Sequence, residues 1–168
     1  MKTSQHNAPQ AQANPQTDIR GVLIAVARAR LLLPNATIAE VLSFAPPTPV
    51  EGAPDWLLGR IRWRGWEVPL VAFSRMADIA PEAGGLGSKV VVLKALSGDP
   101  KAPYFAVLTQ GFPRLVTVSP DRLQFDADQH LPAGVHARVW LNEDEAYIPD
   151  LEAIEVLIGN AIAQAQAA

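Results

Sequence analysis

Two tryptophans bracket a two-residue turn in Gly59-Arg60-Ile61-Arg62-Trp63-Arg64-Gly65-Trp66-Glu67-Val68-Pro69-Leu70, and that stretch leaves the backbone few choices. With Arg64-Gly65 as the turn, Trp63 faces Trp66 and Ile61 faces Val68 across an antiparallel pair. These pairs share one face, so the aromatic and branched side chains are expected to bury together. Arg62 and Glu67 meet on the other face as an opposite-charge pair toward water. Gly65 supplies the positive φ that such a turn needs. A slip of one residue would set tryptophan opposite glutamate, so the register is well specified. The hairpin carries no chemistry of its own. It builds β structure with an Arg-rich, Trp-flanked exterior, which favours a binding module over an enzyme.

Apolar residues make up 49% of the 168-residue chain and charged residues 18%, enough to bury one substantial core or two small ones. The formal net charge of −3 disfavours a general binder of phosphate backbones, which needs an excess of Lys and Arg. Cysteine is absent, which excludes disulfides, thiolate metal sites and thiol nucleophiles. Met1 to Thr17 lacks the apolar run of a signal peptide, and no apolar run reaches membrane-spanning length. A cytoplasmic location without membrane insertion is expected.

Residues 1–17, rich in Gln, Asn, Ala and Pro, have almost nothing apolar to bury and read as a disordered tail. Ordered structure is expected over residues 18–160, with fraying from 161 to 168. Gly21 to Val26 and Leu31 to Leu33 read as strands joined by a turn at Ala27 to Arg30. Pro34 to Thr37 reads as a short helix, followed by a strand near Glu40 to Phe44. Ala45 to Pro54 holds four prolines and reads as an extended connection. Pro69 cannot donate to a ladder, so the second hairpin strand is an edge or a bulge there. Further strands are expected at Lys89 to Leu96, Tyr104 to Thr109, Leu115 to Val118, Leu123 to Phe125 and His136 to Leu141. Asn142 to Glu145 reads as a solvated turn. Asp150 reads as the N-cap of a terminal helix with Leu151, Ile154, Leu157, Ile158 and Ala161 on one face. Many short strands and little helix predict a mainly β protein of small barrels or a sandwich, and the glycine-rich break at 83–88 suggests two small barrels.

Candidate chemistry is sparse. Gly84-Gly85-Leu86-Gly87-Ser88-Lys89 superficially resembles a phosphate loop, but Ser88 precedes Lys89 and a strand follows where a helix is required. His6, His130 and His136 share no ligand spacing; Asp126, Asp128 and His130 offer at most an acidic loop that solvation explains. No Gly-x-Ser-x-Gly turn is present. Nothing apolar surrounds Glu143, Asp144 and Glu145 to set their acidities apart. Neither catalysis nor a metal or cofactor is therefore expected.

The row Arg60, Arg62, Arg64 beside Trp63 and Trp66 remains. As a plain surface it is a solvated strand face. As a functional one it is a protein-contact surface, since Arg and Trp are enriched at interface hot spots. A nucleic-acid-binding β-barrel using this row with Trp56, Trp63 and Trp66 is the alternative. In the hairpin register both tryptophans point away from the arginines, which separates stacking from charge and favours protein contact.

The order of motifs is more informative than any one of them. Leu32-Leu33-Pro34, Ile38-Ala39-Glu40-Val41, a proline-rich spacer, Gly59, Ile61-Arg62-Trp63-Arg64-Gly65 and Val68-Pro69-Leu70 together resemble the CheW-like domain of bacterial chemotaxis coupling proteins, over roughly Ile19 to Ile158. The resemblance implies two five-stranded β-barrels packed together with a helix or helices. It also implies a non-enzymatic adaptor that couples methyl-accepting chemoreceptors to a CheA-type histidine kinase. One surface of such an adaptor serves the kinase's regulatory domain and another the receptor's helical tip. By motif position Arg64 matches the arginine of the family's Asn-Leu-Arg-Gly turn, and Ile38 and Glu40 match its Val-x-Glu positions. The partner-binding set implied is Ile38, Glu40, Arg62, Arg64 and Gly65. The chain departs from the pattern with Arg62 for Asn, Trp63 for Leu, Val71-Ala72-Phe73 for Ile-Asp-Leu, and Thr109-Gln110 for Val-Asp. Such departures resemble the accessory adaptors of type IV pilus (twitching) chemosensory systems more than the main flagellar coupler.

Overall fold

The computed structural model describes residues 18–127 and 130–167; the expected N-terminal tail, 1–17, lies outside them. Eleven strands and two helices follow in the order β1 (Ile19–Val26), β2 (Ala29–Pro34), β3 (Ile38–Ser43), β4 (Leu57–Trp63), β5 (Trp66–Val71), α1 (Phe73–Met76), β6 (Lys89–Lys94), β7 (Tyr104–Thr109), β8 (Arg114–Val118), β9 (Leu123–Phe125), β10 (Val135–Leu141), β11 (Asp144–Pro149) and α2 (Leu151–Ala167). The short helix expected after the first strands is a single 3₁₀ turn, Asn35–Thr37. The strands form two sheets, a six-stranded one ordered β8-β1-β2-β11-β10-β9 and a five-stranded one ordered β3-β6-β7-β5-β4.

The architecture is the expected mainly β one, but the division between its halves is not where the glycines suggest. Residues 83–88 link α1 to β6 within the five-stranded half and separate nothing. The six-stranded sheet takes β1 and β2 from the start of the chain and β8 to β11 from its end, enclosing the other sheet in sequence. Its last strand in chain order is β11, where no strand was expected; the first two residues, Asp144 and Glu145, were expected in a solvated turn. Asp144 and Glu145 hide it: their carboxylates are engaged by Arg114 (2.9 Å) and Arg138 (2.6 Å), while Ala146 and Pro149 point inward.

The apolar runs are continuous because both faces of the central strands are covered. Val91, Leu93, Phe105 and Val107 meet Val22, Ile24, Leu31 and Leu33 in a core between the sheets, closed by Leu151, Ile154, Ile158 and Ala161 of α2. The alternate residues Val90, Val92, Ala106 and Leu108 pack with Trp63, Val68 and Leu70 on the far face of the five-stranded sheet. Leu23, Leu32, Val139, Leu141 and Ala146 do the same for the other sheet. Asp150 caps α2 as expected, accepting from the Ala153 amide at 3.0 Å. The helix continues to Ala167, beyond the point where fraying was expected, and Leu157 is only partly buried.

The hairpin has the predicted register, with Trp63 opposite Trp66, Arg62 opposite Glu67 and Ile61 opposite Val68. Pro69 is tolerated because β7 joins β5 only from Leu70 onward, so no donor is needed at position 69. Upstream, Thr48 and Arg60 exchange amide hydrogen bonds of 2.9 and 2.8 Å, which pins the proline-rich connection across β4. Gly59 permits that approach: a Cβ there would lie 2.2 Å from the Thr48 carbonyl oxygen, and its φ is 144°.

Candidate partner-binding surface

β3 and β4 are opposite edges of the five-stranded sheet, yet residues of the two touch, so the sheet curls until its edges meet. The meeting point is Glu40 on β3 and Trp63 at the end of β4. The Trp63 indole N–H donates to Glu40 Oε2, and the same oxygen lies 3.6 Å from Arg64 Nη2. The Arg64 guanidinium stacks over the Trp63 ring, 4.8 Å from its centre. Beneath, Trp63 meets Tyr104 edge to face at 4.9 Å, and Trp66 meets the same tyrosine at 6.2 Å. One buried indole therefore holds a carboxylate by its edge and a guanidinium on its face.

Two expectations about the hairpin need correction. Trp63 is buried but Trp66 is 38% exposed, because Trp66 lies beyond the curled sheet's interior and covers only the rim at Tyr104. Charge and stacking are not on separate faces either. Arg64 adopts a positive φ of 47°, alongside 80° for Gly65, and this turn geometry lays its side chain back across Trp63. The Glu40–Arg64 separation exceeds hydrogen-bonding distance, so the guanidinium keeps its donors, and the exposed pair adds little stability. What the arrangement produces is a planar, oriented cation on a rigid base, suited to a carboxylate or to the carbonyls at a helix end.

The five residues expected to bind partners do not converge on one patch. Glu40, Arg64 and Gly65 lie together at the closure. Ile38 is partly buried against the core between the sheets. Arg62 is exposed and lines a separate recess of about 400 Å³ with Arg60, Glu67 and the proline-rich connection. Despite their opposed register, Arg62 and Glu67 form no ion pair among the described residues. Trp63 and Tyr104, absent from the expected set, support Arg64. For the nucleic-acid alternative, Trp56 and Trp63 pack into cores and only Trp66 faces solvent, which leaves no three-indole platform. The glycine segment before Lys89 is a turn, Gly85 to Ser88, with Gly84 against the Phe44 ring and a strand following. Asp128 of the acidic loop lies outside the described residues, and no metal-ligating cluster occurs among those within.

A model of the CheW-like domain matches residues 20–156. The chain belongs to the CheW-like domain family. No curated protein matches it in sequence. Among solved structures it is similar to the scaffolding protein TtCheW from Thermoanaerobacter tengcongensis, at 14% identity and a TM-score of 0.67, with 89% of this chain and 91% of that one covered. At that identity the match speaks for the fold. CheW-like domains are scaffolds without catalytic activity, so this member is a non-enzymatic adaptor of chemosensory signalling. Among the described residues no helix is long and apolar enough to cross a membrane.

Proposed function

We propose that this CheW-like protein couples a methyl-accepting chemoreceptor to a CheA-type histidine kinase in the cytoplasm. The kinase's regulatory domain and the receptor's helical tip are the two partners. The observation that supports this most is the Arg64 guanidinium, seated on Trp63 and tethered beside Glu40, at the position matching the family's Arg-Gly turn. Arg64 engages a partner's carboxylate or helix-end carbonyls, and Glu40 fixes the register of docking. Ile38, Arg62 and Gly65 extend the contact on either side. Affinity per contact is modest, and multivalent arrays make up the difference. The replacement of the usual motif by Arg62 and Trp63 favours an accessory adaptor of a type IV pilus system, with twitching motility as its output.

Titration of the chain against a CheA regulatory domain and against a receptor-tip fragment tests the proposal. Binding to at least one, weakened about tenfold or more by Arg64→Glu, is expected. No binding to either partner, or binding that Arg64→Glu leaves intact, contradicts it.

A further inference from the structure

A second cationic site lies on the six-stranded sheet, away from the Glu40–Arg64 closure. β2 and β11 run parallel but share a single registered pair, Leu31 with Tyr147. Before that pair a recess of about 550 Å³ opens, bordered by Arg28, Arg30, Arg138 and Glu145 above Val26, Ala29, Ala146 and Tyr147. The charges are unevenly used. Glu145 is taken by Arg138 at 2.6 Å, and Asp126 lies 3.6 Å from the same guanidinium. Burial is the largest single influence and would lower the Arg138 pKa, but the Glu145 hydrogen bond together with the charges of Tyr147, Glu145 and Asp126 outweighs it and holds the group above its ordinary value. Asp144 bonds Arg114 at 2.9 Å and stands 3.7 Å from Arg30, too far for a hydrogen bond. Among the described residues Arg28 has no hydrogen bond or ion pair. Two guanidiniums thus keep their donors at the mouth of a recess that Ala29 and Tyr147 also line.

Arg28 is also held where an arginine is conformationally disfavoured. Its φ is 58°, the left-handed region where glycine or asparagine is easier to place. The turn is fastened from beneath. The Ala27 amide donates to buried Glu82 at 2.7 Å, Ser74 Oγ donates to the Ala27 carbonyl at 2.7 Å, and Gln110 N donates to the Ala25 carbonyl at 2.8 Å. Such anchoring presents the Arg28 side chain in a fixed place, and preorganisation of that kind lowers the cost of binding.

We propose that Arg28 and Arg30 form a docking site for an acidic, extended segment of a partner protein. A glutamate or aspartate fits because its carboxylate matches the guanidinium fork while its short apolar stem lies against Val26, Ala29 and Tyr147. The whole chain, at net charge −3, repels acidic ligands in general, so binding of one is a specific result.

The test is fluorescence titration of the full chain with labelled hexaglutamate, with hexaglutamine as the neutral counterpart. Wild type is expected to bind the glutamate peptide only, more weakly as salt rises. Arg28→Gly, which suits the positive φ and so folds at least as well, and Arg30→Ala should each weaken binding about tenfold. Arg20→Ala, an exposed guanidinium elsewhere on the sheet, should leave it unchanged. No glutamate binding by wild type, an equal loss in Arg20→Ala, or preference for an oligonucleotide overturns the proposal. Arg64→Glu should not affect hexaglutamate binding, which separates this site from the coupling surface.

Discussion

At the scale of single residues, the conformation of Arg64 is more telling than its charge. A residue at φ 47° is where glycine would relieve strain of about 1 kcal/mol, and the side chain kept there gains only a long, exposed ion pair and a surface cation–π contact with Trp63. Arg64→Gly should therefore leave urea-unfolding stability unchanged or raise it by up to about 1 kcal/mol, while weakening partner binding. A clear loss of stability would mean that Arg64 serves the fold. Trp63→Phe keeps a ring beneath the guanidinium but removes the donor to Glu40; a cost of about 1 kcal/mol is expected in the same experiment. Motif order singled out Arg64 and Glu40 without placing them side by side, and their link through Trp63 was not legible. Glu40 and Trp63 lie 23 positions apart on opposite edges of one sheet, and no local pattern reports a contact made by sheet curvature.

Among the elements, the hairpin was the most legible, because its side-chain alternation and its turn agree on one register. The turn between β1 and β2 was less so. Ala27-Arg28 has no turn-forming residue of its own and is held by Glu82 and Ser74, about 50 positions along the chain. Glu82 is 3% exposed and also accepts from the Gln110 side-chain amide at 3.0 Å. Glu82→Ala strands the Ala27 donor in the interior and should cost roughly 1–3 kcal/mol, read from the denaturant midpoint. A neutral outcome would show that the turn holds itself. β11 was missed for a different reason: acidic residues that look solvated are engaged by arginines from other strands. At α2 the Asp150 cap was readable in sequence, and Asp150→Ala should lower stability by about 1 kcal/mol.

For the molecule as a whole, two sheets share an apolar core, and the paired arginines and carboxylates described above lie on the outside. The two-sheet β architecture could be anticipated from strand count, but the nesting of one sheet's strands within the other's sequence could not. Adjacent strands in sequence carry no mark of the sheet they join when both faces are equally apolar. Coupling is a property of three proteins at once, so its most direct test is co-sedimentation of a CheA-type kinase with receptor-bearing membranes, with and without this chain. The kinase should reach the pellet only when the chain is present, and Arg64→Glu should release it. Kinase that sediments equally without the chain, or stays in solution despite it, would contradict the coupling role.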